Sequence, residues 1–187
     1  MILASRSPRR KELLASCGVE FSIYDAAVKE LTADCGVPIE QLPVQNALLK
    51  AQCVADRFPD ELVLGADTMV ICDGKALGKP GSLEESFRML EMLSGKSHEV
   101  VTGVALVWKK KNFSEIWSGV SHVKFKHLSN EAIKEYTSLV NTLDKAGAYA
   151  VQEHGELIID HFDGELENII GLPLIRLKQL LDELLQK

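Results

Sequence analysis

The chain has 187 residues, enough for one large domain or for two small halves sharing a sheet, and its 46% apolar share is ordinary for a globular protein with a sizeable core. With 27 acidic against 21 basic residues it carries a formal net charge of −6, which argues against a duplex nucleic-acid binder, because such proteins show a basic face. No run of about 18 apolar residues occurs and no basic segment followed by an apolar one opens the chain, so a soluble, cytosolic protein is expected. The cysteines Cys17, Cys35, Cys53 and Cys72 form no C-x-x-C pair and have no histidine at zinc-finger spacing, so reduced, mostly packed thiols are expected.

Residues 2–4 are apolar and extended, and they break at Ser5, Arg6 and Ser7 into a helix. Ser7 can cap that helix, and Pro8 fits its first turn, where a missing N–H costs nothing. The Ser5 and Ser7 hydroxyls, the free amides and the planar donors of Arg6, Arg9 and Arg10 then suit an anion. Taken alone, the same spacing also fits a capped surface helix with solvated arginines. Leu13, Leu14 and Cys17 share one helical face, and Gly18 is placed to end the helix.

A short strand is expected at 20–24 and a loop at 25–38, before Pro43 opens a helix. Its apolar positions are Val44, Ala47, Leu48, Ala51 and Val54 or Ala55, and it carries Lys50. Residues 62–66 form an unbroken apolar run, the pattern of a strand buried on both faces, expected to end at Asp67 and Thr68. Residues 69–72 continue extended into a hairpin turn at Asp73 and Gly74. Ser82 and Glu85 have the spacing of a capping box ahead of a helix over 83–94.

Two β-rich segments, 98–108 and 116–128, are joined by a lysine-rich turn, which predicts an antiparallel pair. Ser129 is placed to cap a helix reaching Leu139, a strand is expected over 157–162, and a last helix starts at Pro173. In that helix Leu174, Leu177, Leu180, Leu181, Leu184 and Leu185 make a core-facing stripe too short for a coiled coil. The pattern is α/β with mixed strands and no linker between independent domains.

Chemistry is concentrated at a few positions. Asp67 lies at the end of a buried run, where open α/β sheets place ligands, although an aspartate there can also cap a turn. Gly74 to Pro80 is not a phosphate loop of the Walker type: it has one residue too few between its glycines, and Pro80 stands where a magnesium-binding hydroxyl belongs. Lys79 can act as a point charge on phosphate or be a solvated turn lysine. His122, His127, His154 and His161 lack the spacing of a helical metal pair, which leaves structural or surface roles.

Together these segments resemble the Maf family of nucleotide pyrophosphatases. The matching runs are residues 3–14, 65–68, 77–80, 94–106, 144–152 and 168–174, in the family's order and over nearly the whole chain. The resemblance implies an α/β, inosine-triphosphatase-like fold: one domain over 1–187, with a mixed elongated sheet flanked by helices and two lobes around a central cleft. It also implies hydrolysis of a nucleoside triphosphate to its monophosphate and pyrophosphate, a divalent cation (Mg2+ or Mn2+) and a homodimer. The acidic charge and the lack of a long apolar run add the expectation of no stable nucleic-acid complex and no membrane partner.

By the same resemblance Asp67 matches the catalytic acid, and Ser5, Arg10, Lys50 and Lys79 match the phosphate-binding group. Glu30 matches the N-terminal acid and, with Asp67, is a candidate metal ligand. Arg9, Thr68 and Gln152 occupy the positions that separate the branches, and their combination resembles the dTTP/UTP branch. The alternatives are a branch acting on 7-methyl-GTP or other modified nucleotides, and a nucleotide-sensing regulator of cell division. The chain departs from the family at Leu49, where an acid is usual, at Glu153, where glycine is usual, and over 163–167. A glutamine amide offers a donor and an acceptor, which match the O4 and N3–H edge shared by uracil and thymine. A flipped amide matches the reversed pair of cytosine, so Gln152 alone does not exclude cytosine, whereas Arg9 donating to a carbonyl would.

Overall fold

The computed structural model describes residues 1–185. The seven strands of the described residues belong to one mixed sheet, in the order β2 (Ser22–Ile23), β1 (Ile2–Leu3), β3 (Val63–Cys72), β5 (Ser97–Trp108), β6 (Phe113–Phe125) and β7 (Ile159–Asp163), with β4 (Lys75–Leu77) paired to β3. The chain forms two compact units, one of Met1–Asp67, Thr102–Gly119 and the stretch from Glu165 onward, the other of Thr68–Val101 and Val120–Gly164.

In the first unit β1 (Ile2–Leu3) lies parallel to both β2 (Ser22–Ile23) and the start of β3 (Val63–Cys72), with Ile2 opposite Val63 and Leu3 opposite Leu64. Strand alternation sends Leu3, Leu62, Leu64 and Ala66 to one face, where they pack with Leu14 of α1 (Pro8–Ala15) and with Leu174, Leu177 and Leu181 of α7 (Leu174–Leu185). Ile2, Ala4 and Val63 face the other way, onto Ala47, Ala51, Val54 and Ala55 of α2 (Leu42–Arg57). The apolar stripes foreseen for the second and last helices are therefore the two covers of this part of the sheet.

Gly65 sets the approach of α2. A Cβ there would lie 2.2 Å from the Ala47 carbonyl oxygen and 2.9 Å from the Ala51 nitrogen, so only glycine lets the helix backbone come this close. Gly103, on β5 (Ser97–Trp108), does the same for the start of α2, because a Cβ would meet the Pro43 carbonyl at 2.3 Å. The last helix begins one residue later than expected, at Leu174, and the Glu165 carboxylate accepts from the Leu174 and Ile175 amides at its N-terminus. Before it stands α6 (Leu166–Ile170), five residues long and too short to leave a periodic signal.

In the second unit Asp73 and Gly74, both at positive φ, close the expected hairpin between β3 and β4 (Lys75–Leu77). Ser82 caps α3 (Leu83–Leu93), but the Glu85 carboxylate returns to the Gly81 amide at 2.7 Å and not to Ser82, so the capping box is displaced by one residue. β5 is followed in chain and sheet order by β6 (Phe113–Phe125), and Ser129 caps α4 (Asn130–Leu139) as foreseen.

The strand expected over 157–162 starts instead as a helical turn, α5 (Gly155–Ile158), and becomes β7 (Ile159–Asp163), antiparallel to β6. His98, Phe125 and Tyr149 stack edge to face at centroid separations of 4.9–5.4 Å. The four thiols are free, Cys35 being exposed, and no helix among the described residues is long and apolar enough to cross a membrane.

Candidate active site

The turn between β1 and α1 folds as its sequence predicts. The Ser7 hydroxyl accepts from the Arg10 amide at 3.4 Å, and Pro8 holds the first helical position. The Ser5 hydroxyl accepts from the Ser7 amide at 3.2 Å and from Arg10 Nη1 at 3.3 Å, and Arg10 Nε donates to the Gly171 carbonyl at 2.8 Å. Burial lowers the Arg10 pKa below its ordinary value, opposed by the negative charges of Asp67 and Glu30. Arg6 departs from expectation: it is exposed and pairs with Asp25 at 3.2 Å, so it does not join the converging donors. Arg9, next on the helix, is half-buried.

Asp67 is not at a strand end. β3 runs through it for ten residues, and alternation puts Val63, Gly65 and Asp67 on the face that meets α2. A carboxylate survives there because α2 satisfies it: Lys50 Nζ donates to Oδ1 at 2.8 Å, and Asn46 Nδ2 donates to Oδ2 at 3.2 Å. The Lys50 and Asp67 side chains are each 11% exposed, so their attraction is little screened. Lys50 also reaches Glu30 Oε1 at 2.6 Å.

Asn46, 1% exposed, was not foreseen. Its amide grips the Leu31 backbone in both directions, accepting from the N–H at 2.7 Å and donating to the carbonyl at 3.1 Å, which holds the neighbouring Glu30 in place. The available signal was a polar residue four before Lys50 on the buried stripe of the helix. The Gly171 carbonyl was also missed, since no side-chain pattern announces a backbone acceptor.

Two carboxylates that converge on one cation are a donor set suited to a divalent ion. Magnesium and manganese take one or two carboxylates and complete their shells with water and phosphate oxygens. Asp67 and Glu30 fit that description, with Lys50 holding their shared position. No group of three or more His, Cys, Asp or Glu among the described residues could hold a metal by itself, so an ion here would need substrate oxygens to complete its shell.

The remaining sequence-predicted residues lie in the second unit. Thr68 follows Asp67 along β3 and is half-buried. Lys79 is exposed in the turn after β4, and the preceding Gly78 carbonyl accepts from the Gly147 amide at 3.0 Å. Gln152 is exposed, and Glu153 beside it pairs with Lys145 at 3.1 Å. In the first unit Ser5 is bonded to Arg10, and Lys50 joins Asp67 to Glu30, the charges of both carboxylates acting on Arg10, while Lys79 and Gln152 belong to neighbouring loops of the second.

A family profile described as Maf-like protein matches residues 1–184. A protein named dTTP/UTP pyrophosphatase from Moorella thermoacetica is 41% identical over 97% of this chain and 93% of its own length. Proteins of the same name from Akkermansia muciniphila and Caldicellulosiruptor bescii are 44% and 42% identical, covering 93% and 98% of this chain and 90% and 94% of theirs. The chain belongs to the Maf-like protein family.

Proposed function

We propose that the chain hydrolyses dTTP and UTP to their monophosphates and pyrophosphate, the activity named for its relatives. The observation that carries this reading is the buried Asp67 carboxylate held by Lys50 and Asn46 beside the Arg10 and Ser5 donors. Pure binding of an anion gains nothing from a carboxylate, whereas hydrolysis needs a group that orients water and takes its proton. A non-catalytic nucleotide sensor leaves Asp67 unexplained.

Splitting the α–β anhydride requires charge screening along the triphosphate and a water in line with the departing pyrophosphate. Arg10, with its planar fork fixed by Ser5 and Gly171, stabilises phosphate oxygens, and Lys50 adds a point charge held between Glu30 and Asp67. Asp67 orients the attacking water and accepts its proton, with Asn46 holding the carboxylate plane. A Mg2+ or Mn2+ ion bound by Asp67 and Glu30 would supply Lewis-acid screening of phosphate and lower the pKa of water.

To Lys79 the proposal assigns a contact with phosphate, and to Arg9, Thr68 and Gln152 the reading of the base, Gln152 matching the edge common to uracil and thymine. The active form is taken to be a cytoplasmic homodimer whose partner is the nucleotide, not a nucleic-acid polymer or a membrane. Pyrophosphate release measured over UTP, dTTP, CTP, GTP, 7-methyl-GTP, pseudo-UTP and 5-methyl-UTP, with and without chelator, tests the whole reading. Preference for UTP and dTTP, abolished by chelator, is expected. Full-rate turnover in chelator would remove the metal, and preference for 7-methyl-GTP would move the chain to another branch.

A further inference from the structure

The departure from the family at Glu153 has a structural counterpart. Its carboxylate does not stand as an uncompensated charge beside Gln152 but accepts from Lys145 Nζ at 3.1 Å. Lys145 is itself 3% exposed, and its ammonium donates also to the Asn141 carbonyl at 2.7 Å and to Asp144 Oδ1 at 2.9 Å. An ammonium has three protons, so all three are used, and Glu153 is the acceptor that completes the set. A buried lysine needs such a set, since a vacant donor in a dry environment is costly.

Upstream of Gln152 the chain is held a second way. The buried Tyr136 hydroxyl accepts from the Ala150 amide at 3.0 Å, and the Ala150 carbonyl lies within reach of its proton at 3.4 Å, so one residue has both backbone groups held by one side chain. Ala150 and Glu153 are therefore fixed points, and only Val151 and the exposed Gln152 lie between them.

We propose that Lys145, Glu153 and Tyr136 are positioning residues that set base selectivity by holding the Gln152 backbone in place before substrate arrives. The inference rests on the assignment of Gln152 as reader of the base. The Gln152 amide can rotate to exchange its own donor and acceptor, so it discriminates only together with the other residues assigned to the base. A fixed backbone holds it in register with them, whereas a loose loop would let it shift to pair with cytosine as well. Ordering in advance also removes a cost otherwise met on binding, so its loss falls on the KM for the matched nucleotide.

The test is the ratio of kcat/KM for UTP to that for CTP, measured on the full chain for the wild type, Gln152→Ala, Glu153→Gln, Tyr136→Phe and Lys145→Met, with thermal midpoints. Gln152→Ala is expected to lower the ratio about tenfold, the scale of one lost discriminating contact. Glu153→Gln and Tyr136→Phe are each expected to lower it about threefold or more through the KM for UTP. A merely structural role lowers the midpoint and scales both substrates equally, and that result overturns the proposal. If Gln152→Ala leaves the ratio unchanged, the assignment of Gln152 fails. If Gln152→Ala lowers the ratio while Glu153→Gln and Tyr136→Phe do not, the assignment stands and the positioning role is overturned. Should Lys145→Met not fold, the two single-group changes still decide.

Discussion

Two lysines, Lys50 in the first unit and Lys145 in the second, lie in low-exposure settings and each pairs with two carboxylates, yet the partners are drawn from the chain in opposite ways. Lys50 on α2 meets Glu30 from a loop and Asp67 from β3, so three distant segments must be in place before its charge is compensated. Lys145 is satisfied within residues 141–153, by a carbonyl and two carboxylates of its own loop. The first arrangement concentrates charge where the proposed reaction places the triphosphate. The second closes a loop on itself. The difference predicts that variants in the first unit lose turnover while retaining the fold, and that variants in the second lose stability or selectivity before chemistry.

The largest effect is expected from Asp67→Asn. Turnover should fall about a thousandfold, the range for loss of a positioned acid–base group. Its thermal midpoint should stay near that of the wild type, because Lys50 keeps Glu30 at 2.6 Å. Unfolding of this variant would break the comparison.

Next is an acid effect in the second unit. Burial lowers the His98 pKa from 6.5 to about 4, so the fold favours the neutral ring, whose Nε2 pairs with the Tyr149 hydroxyl at 2.8 Å. The unfolded chain therefore binds the extra proton first, and the stability tied to His98 is complete above pH 6.5 and disappears as pH falls to about 4. That window is worth about 3 kcal/mol. Denaturant titrations at stepped pH should show the slope in wild type and a flatter one in His98→Phe.

Lys50→Met should cost about a hundredfold in kcat/KM, as for removal of one charge-stabilising donor, read in initial-rate kinetics on UTP. The smallest effect is assigned to Lys145→Met. Asp144 and Glu153 are both about half exposed and can turn to water, so denaturation should report a loss of about 2 kcal/mol, the value of charge-assisted hydrogen bonds and not of a stranded ion pair.

Much of the frame was legible because its signals are local. Ser7 and Ser129 announced their caps, Asp73-Gly74 its hairpin, and the spacing of Ala47, Ala51 and Val54 the buried face of α2. The local pattern places Asp67 at a strand end because the polar Asp67-Thr68 pair looks like a turn, whereas β3 runs through it. What lets β3 continue is satisfaction of that carboxylate by Lys50 and Asn46, a tertiary fact. The same holds for Arg10 on the Gly171 carbonyl, a contact spanning 161 residues. Glu153 was seen as a departure, but its partner Lys145 sits in a loop without periodicity, so no spacing rule linked them.

The central claim is that the Asp67 cluster splits a pyrimidine nucleoside triphosphate between its α and β phosphates. Phosphorus NMR of UTP incubated with wild type and with Asp67→Asn, alongside calorimetric titration of UTP into the variant, tests it directly. The account predicts UMP and pyrophosphate from the wild type, and from the variant neither product but retained UTP binding. UDP with orthophosphate from the wild type, or a wild-type rate from Asp67→Asn, would contradict it.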